Sequence, residues 1–322
     1  MKQVKTRKSI KKEDYEDLIY YKLKNSRFKQ QRLPAWRPVP TLSSIIVFYV
    51  LFALIFVGIG IVLLLFSNKI MYLEIPYNEK CKDQKECNIT IDIKDDMNPP
   101  IMIYYKLYGF YQNHRRYIRS KSQNQLFGKK AEDDGDCGPV FTNEDMKINE
   151  YISINGTSLE PKDVAVPCGL MAKTYFNDTF KNWKVNGNPI TPDETNIAFP
   201  MDRKFFKNAN ISKQWVDMED EHFIVWMRPS AFPNFRKLWG RINDIELKKG
   251  GNISFTIENN YVLTIEEGRK SVVLSTTTIF GGKNMFLGIG FIVVGVVSFL
   301  LGIAFPMLII QRNKNEKIKR NY

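Results

Sequence analysis

The run IIVFYVLFALIFVGIGIVLLLF, residues 45–66, holds 22 consecutive positions without a charged side chain. At about 1.5 Å per helical residue, a run of this length covers a hydrocarbon layer of about 30 Å, so it reads as a membrane-spanning helix. A second run balances it near the other end: MFLGIGFIVVGVVSFLLGIAFPMLII, residues 285–310, has 26 residues and is equally uncharged. It is long enough to cross with some tilt. Pro306 falls in its last turns, where membrane helices tolerate proline if neighbouring groups satisfy the freed carbonyl. A cleaved signal peptide is the competing reading of the first run, but that needs a short lead and an apolar core of about 7–15 residues. Here the polar lead is 44 residues, so a retained anchor is expected.

Charge orients the two helices. The 322-residue chain carries a formal +13, and the excess lies in its tails. Residues 1–44 hold 12 Lys/Arg against 4 Asp/Glu, and residues 311–322 hold 5 against 1. Those tails are +8 and +4, which leaves +1 for residues 67–284. The positive-inside bias therefore puts both tails in the cytosol and the middle segment outside it. The expected plan is a cytosolic tail (1–44), a first helix (45–66), an ectodomain (67–284), a second helix (285–310) and a short cytosolic tail (311–322).

The middle segment has the chemistry of an oxidising compartment. All four cysteines, Cys81, Cys87, Cys137 and Cys168, fall in it. Four cysteines allow three pairings, and the sequence does not choose among them; the two local closures, Cys81 with Cys87 and Cys137 with Cys168, are the expected ones. Such loops would contribute about 2 and about 4 kcal/mol in the chain-entropy account. A zinc site fits poorly, because no close CxxC pair exists and His114 and His222 are not at ligand spacing. Five Asn-x-Ser/Thr acceptors, Asn88, Asn155, Asn177, Asn210 and Asn252, lie in the same segment.

The ectodomain reads as mostly β. ISFTIENNYVLTI, residues 253–265, alternates β-branched and aromatic residues and breaks at Glu258-Asn259-Asn260; SVVLSTTTIF, residues 271–280, follows it. Together they predict a hairpin leading into the second helix. IMIYYKLYGFY, residues 101–111, predicts another strand. Gly135-Asp136 with Gly138-Pro139, Asn186-Gly187 with Asn188-Pro189, and Gly250-Gly251-Asn252 are turn chemistry that cuts the segment into short pieces. The expected fold class is α+β: two transmembrane helices flanking a large, mostly antiparallel β-sandwich-like ectodomain with helical insertions.

Catalytic patterns are missing. There is no GxxxxGKS/T phosphate loop, GxSxG elbow or HExxH, and neither helix carries an ionisable residue that would mark an ion pathway. Glu132-Asp133-Asp134 with Asp136 lacks the spacing of a calcium loop and reads as a solvated acidic loop. WVDMEDEH, residues 215–222, holds four carboxylates and reads as a surface loop rather than an acid/base pair. No cofactor and no metal are expected, and binding and support are expected over catalysis.

Five blocks then carry a resemblance. RFKQQRLPAWRPVPT before the first helix, FYQNHRRYIRS, PCGLMAKTYFNDT around Cys168, EHFIVWMRPSAFPNFRKLWGRI, and LSTTTIFGGKNMFLGIGFIVVG running into the second helix lie between about residues 27 and 302. In this order they closely resemble the Cdc-fifty family, also called Lem-three. Members of that family are accessory β-subunits of type IV P-type ATPases, the flippases that move phospholipid from the exoplasmic to the cytosolic leaflet. The resemblance implies a heterodimer in which the ATPase does the chemistry and this chain is needed for folding, exit from the endoplasmic reticulum and activity. It also implies residence from the endoplasmic reticulum to Golgi, endosome or plasma membrane. The ectodomain would cover the exoplasmic loops of the ATPase, the helices would pack beside its last helices, and the tail would run along its cytosolic face. From the tail block, Phe28, Gln31, Arg32, Leu33, Pro34 and Trp36 are implied partner contacts. Pro34 favours an extended exit and Trp36 an interfacial anchor. Ser298 and Gly302 make a small-xxx-small step suited to a neighbouring helix, with Gly288, Gly290 and Gly295 adding bare backbone. Asn177, in the family block, is the leading glycan acceptor. The family often has further cysteines near the first pair; only Cys81 and Cys87 stand there, so one bridge fewer than the fuller set is expected. Trp226, Phe232 and Trp239 are expected in the core.

The basic strip FYQNHRRYIRSKSQNQL, residues 110–126, resembles nucleic-acid-binding sequence in composition. Topology places it outside the cytosol, where nucleic acid is not an expected partner. Arg115, Arg116 and Arg119 are expected as structural pairing groups, with contact to the ATPase loops as the second role. A two-helix ligand-gated channel or receptor subunit shares the overall plan but needs polar positions in its helices, and these offer few. A membrane-anchored glycosidase rests on the unpaired carboxylates alone.

Overall fold

The computed structural model describes residues 20–33, 41–129, 135–147, 151–262 and 268–320. They fall into two units, one formed by the described residues up to Phe56 and from Val294 onward, the other by Val57–Val293. In chain order the elements begin with α1 (Leu42–Asn68), β1 (Tyr72–Pro76), β2 (Glu86–Asp92) and β3 (Ile101–Tyr108). A helical insertion follows: α2 (Arg115–Arg119), α3 (Gln123–Leu126), α4 (Asn143–Met146) and α5 (Leu170–Lys173). Next come β4 (Thr179–Val185), β5 (Asn188–Pro189), α6 (Pro200–Phe205) and α7 (Glu221–Met227). The chain ends with β6 (Phe235–Ile242), β7 (Asn252–Glu258), β8 (Arg269–Thr276) and α8 (Met285–Arg320).

Both uncharged runs are the cores of longer helices, and α8 continues through Pro306 to Arg320. Bare backbone lets the helices approach. Within the first unit a Cβ on Gly302 would lie 2.9 Å from Tyr49 Cβ, and the Tyr49 and Phe305 rings are 6.1 Å apart. Within the second, a Cβ on Gly60 would lie 2.6 Å from Ile292 Cγ1, and one on Gly288 would lie 2.8 Å from the Leu64 side chain. Glycine at these points is required by the neighbour, not by the helix, which it weakens.

The strands between the two long helices form two four-stranded sheets, ordered β1-β8-β3-β6 and β2-β7-β4-β5, with every pairing antiparallel. Alternation sets the faces. In β3, Ile101, Ile103, Tyr105 and Leu107 turn inward; in β7, Ile253, Phe255 and Ile257 do. Aromatic rings fill the space between: Trp183 stacks on Phe255 at 4.3 Å, and Phe180 meets Trp239 edge-on at 5.1 Å. Trp226 and Trp239 are buried.

The hairpin expected over residues 253–280 does not form. β7 lies between β2 and β4 in one sheet, while β8 lies between β1 and β3 in the other. Period-two alternation reports that a strand has one buried face and says nothing about which neighbour it pairs with. The Glu258-Asn259-Asn260 break is where the chain leaves the sheet that holds β7, and residues 263–265 of the quoted run lie outside the described residues. The crossing is pinned by a buried network. Asp178 accepts from Tyr77 Oη at 2.6 Å, from Lys270 Nζ at 2.8 Å and from Tyr261 N at 2.6 Å. Lys270 Nζ also donates to Asn259 Oδ1 at 2.6 Å and to the Tyr261 carbonyl at 2.7 Å, so both charges are fully partnered at 4% and 0% side-chain exposure.

Two further devices hold the insertions. Cys81 is bonded to Cys87 and Cys137 to Cys168, with Cα separations of 5.4 and 5.6 Å. Lys237 turns inward from β6, and its ammonium donates to the carbonyls of Val225, Trp226 and Arg228 at 2.9, 2.7 and 2.6 Å. It closes the C-terminus of α7, where carbonyls lack intrahelical partners. Burial, with the Arg228 guanidinium acting in the same direction, pushes this lysine down to about 7.

Candidate partner interface

Phe28, Gln31, Arg32 and Leu33 follow a helical stretch over residues 20–25 and lie exposed in a tight turn, closed by Arg32 N to Arg27 O at 2.7 Å. Gln31 takes a left-handed φ of 53°. A tail with apolar side chains displayed to solvent has the form of a binding segment. Pro34 and Trp36 lie outside the described residues.

The basic strip is a frame, and its arginines point away from it. Phe110 and Tyr117 pack edge-on at 5.6 Å, and Tyr117 Oη bonds Thr174 Oγ1 at 2.8 Å. Arg115 and Arg116 are exposed and make no ion pair among the described residues. Only Arg119 reaches a carboxylate, Asp136 at 3.8 Å, and both are solvent-exposed, a geometry that adds little stability. Glu132, Asp133 and Asp134 lie outside the described residues. The same frame holds residues 230–234 through four bonds: Gly109 N to Asn234 Oδ1, Phe110 N to Pro233 O, Ser230 N to Gln112 Oε1, and Asn113 Nδ2 to Ala231 O, at 2.8–3.0 Å. Phe232, expected in the core, is 74% exposed at the crest of this loop. Its flanking residues spend their backbone groups on the strip, which leaves its ring outward. Tyr111 on the same frame is 61% exposed. Rigidly held, exposed aromatics beside arginines are the composition of interface anchors.

The outer face of the sheet β1-β8-β3-β6 is a ladder of tyrosines and cations. Arg236 lies 4.9 Å from the Tyr104 ring; Lys106 and Arg269 lie 4.5 and 5.2 Å from the Tyr108 ring. Glu74 is the acid at its centre, bonded by Lys106 Nζ at 2.8 Å, by Tyr72 Oη at 2.8 Å and by Tyr108 Oη. Partial burial pushes Glu74 up, but these hydrogen bonds and the Lys106 charge outweigh it and hold the carboxyl down at about 2. Sequence reasoning missed this ladder, although its signal was present: in IMIYYKLY the residues alternating with the core positions are Met102, Tyr104, Lys106 and Tyr108.

The other sheet presents the opposite chemistry. Its outer face is lined by Asn88, Thr90, Lys181, Asn182, Ser254 and Thr256 around a polar concavity of about 830 Å³. Three acceptors belong to this sheet: Asn88 on β2, Asn252 on β7, and Asn177 two residues before β4. All five sequon asparagines are exposed. Asn155 Nδ2 donates to Ser212 Oγ at 2.9 Å, so the Asn155 and Asn210 sequons adjoin. No strand of the tyrosine-bearing sheet contains a sequon.

The sequence model of the LEM3 (ligand-effect modulator 3) family, also named the CDC50 family, matches residues 12–315. The chain belongs to that family. Among curated CDC50-family relatives, bovine (Bos taurus) Cell cycle control protein 50A is 33% identical, with 88% of each chain covered. Cell cycle control protein 50C of the same species is 34% identical, covering 91% of this chain and 94% of the relative. ALA-interacting subunit 3 of Arabidopsis thaliana is 34% identical over 88% of this chain and 85% of its own.

Within this CDC50-family chain, two of the helix residues expected to meet a partner have contacts of their own. Gly302 faces Tyr49 of α1, and Ser298, 7% exposed, donates its hydroxyl to the Val294 carbonyl at 2.8 Å. Gly302 of the small-residue step thus meets α1 of this chain. Gly58 and Gly290 meet no side chain or backbone within 4 Å and are the bare positions left open. The WVDMEDEH carboxylates are structural. Asp220 caps α7, and Glu221 accepts from the backbone of Asn196 and Ala198 at 2.9 and 2.8 Å. Among the described residues, no group of three or more His, Cys, Asp or Glu is placed to hold a metal.

Proposed function

We propose that the chain is the non-catalytic accessory subunit of a phospholipid-translocating type IV P-type ATPase. It forms a heterodimer with the catalytic subunit and is needed for that subunit's folding, exit from the endoplasmic reticulum and activity. The observation that carries this reading is family membership over residues 12–315, which takes in both membrane-length helices and the whole sandwich between them. Both termini are cytosolic, an orientation supported by tail charges of +8 and +4. The working membranes run from endoplasmic reticulum to Golgi, endosome or plasma membrane. The domains follow the plan of tail, helix, ectodomain, helix and tail, and the five exposed sequons carry the glycans.

The two faces of the sandwich divide the labour. Glycans on Asn88, Asn177 and Asn252 would keep one sheet in solvent. The tyrosine ladder, with Phe232, Tyr111, Arg115 and Arg116 on the strip, is the chemistry that would meet exoplasmic loops of the ATPase. Phe28, Gln31, Arg32, Leu33, Pro34 and Trp36 would do the same on the cytosolic side. Affinity purification of the full chain in mild detergent tests the reading. A P-type ATPase whose phospholipid-stimulated ATP hydrolysis collapses when this chain is withdrawn is the expected companion; a homo-oligomer that passes ionic current by itself overturns it.

A further inference from the structure

Between β8 and α8 the chain makes a turn at residues 278–281 that displays apolar side chains to solvent. Ile279 is 95% exposed and Phe280 58%, and Phe286 just beyond is 85% exposed. The turn is built, not loose. Thr278 N donates to Gly281 O at 3.0 Å, Gly281 N donates back to Thr278 O at 2.9 Å, and Gly281 takes the left-handed φ of 92° that the turn requires. Arg236 backs it so closely that a Cβ on Gly282 would lie 2.5 Å from its Nη2, and Tyr104 in turn holds the guanidinium. A tip so fixed does not fold its isoleucine away.

Its neighbours say what level of the molecule it occupies. The Phe280 ring lies 5.3 Å from Phe66, the last residue of the first uncharged run, and Asn284 N donates to Ser67 Oγ at 3.1 Å. Met285 opens the second uncharged run. Ile279 and Phe280 therefore stand beside the point where both spanning helices leave the hydrocarbon, flanked by exposed Lys69 and Lys283. Aromatic and aliphatic residues at this depth, with lysines reaching outward, match the chemistry of the boundary between acyl chains and phosphates.

We propose that the 278–281 turn is a third, non-spanning membrane contact: Ile279 and Phe280 enter the exoplasmic leaflet at its headgroup boundary, and Lys69 and Lys283 meet lipid phosphates. The contact fixes the sandwich edge against the bilayer. It rests on the reading of α1 and α8 as membrane-spanning, and the experiment separates the two. The full chain carrying Ile279→Trp is placed in phosphatidylcholine nanodiscs, with and without lipid brominated near the carbonyl end of one acyl chain. Its emission is compared with the parent chain and its five tryptophans. The emission added by the new indole is expected to lie to the blue of an exposed indole and to lose about half its intensity in brominated lipid. Leu54→Trp, inside the first run, reports whether the helix spans. Val262→Trp, 79% exposed beside Tyr261 and hence at the end of β8 away from Thr276, should stay unquenched. Quenching at Leu54→Trp with a red, unquenched Ile279→Trp overturns the turn contact and leaves the spanning helices intact. An Ile279→Trp indole shielded only after the ATPase is added also overturns it, and assigns the tip to the partner.

Discussion

Removing the Asp178 carboxylate leaves the Lys270 ammonium buried with two neutral acceptors and no counter-charge. Breaking a buried pair from one side costs about 3–5 kcal/mol, whereas replacing both partners by apolar groups is often neutral. Asp178→Ala is therefore expected to lower the thermal midpoint in detergent sharply, and the double variant Asp178→Leu with Lys270→Met to recover most of the loss. Equal losses in the single and double variants would show that the pair is not coupled. Glu74 makes a pH prediction. Its carboxyl is held at about 2 in the folded chain, below the ordinary 4.5, so its stabilisation is present above about 4.5 and fades as pH falls towards about 2. Between neutral pH and about pH 5 the parent should be more stable than Glu74→Gln by a constant margin, and it should lose that margin only at lower pH. Thermal unfolding across that range checks it.

At the scale of elements, the glycines along the two long helices separate into close and open positions. Gly60→Leu must push the helices apart, because a Cβ there already meets Ile292 and the Gly288 carbonyl at 2.6 and 2.9 Å; a Cβ on Gly58 has nothing within 4 Å among the described residues. The first is expected to destabilise the purified subunit by about 1–3 kcal/mol through overpacking, and the second to leave it unchanged. Thermal unfolding of the two variants side by side decides the matter. These helices were legible in the sequence because 22 and 26 uncharged residues admit few other readings. The sandwich was legible as a class, since alternation in β3 and β7 marks a half-buried strand. Its connectivity was not, because the side chains that send β8 to the other sheet, Asp178, Asn259 and Lys270, lie apart in sequence and mean nothing until they meet. The geometry of the basic strip was legible only in part for the same reason. Arg115 and Arg116 stood out by composition, but their exposure follows from Tyr117 and Gln112 taking the buried positions of the strip. Phe232 looked like core until its loop was seen tied down on both sides.

For the whole molecule, the proposed complex makes demands that the isolated chain does not. Arg115→Ala and Arg116→Ala remove exposed groups without partners among the described residues, so the purified subunit should keep its stability within about 0.5 kcal/mol. Phe232→Ala removes an exposed ring and should be equally mild. If these residues anchor the ATPase, each truncation costs about 1–2 kcal/mol of association, roughly tenfold in affinity. Quantitative co-purification from cells expressing equal amounts of each variant reads this out, and undiminished recovery of the ATPase by the triple variant would remove the strip from the interface.

One arrangement in the first sheet bears on how the protein is made. β1 follows α1 directly, yet its neighbour is β8, with Tyr72 opposite Ser275 and Pro76 opposite Ser271. β3 waits for the same strand, pairing Ile101 with Thr276 and Tyr108 with Arg269. Until the ribosome has delivered residue 276, β1 and β3 have a gap between them, and the segment that fills it is followed within nine residues by α8. Closing the sheet thus reports that synthesis has passed Thr276. Any product stopped before Arg269 leaves the facing edges of β1 and β3 unpaired, an open template for association with other chains.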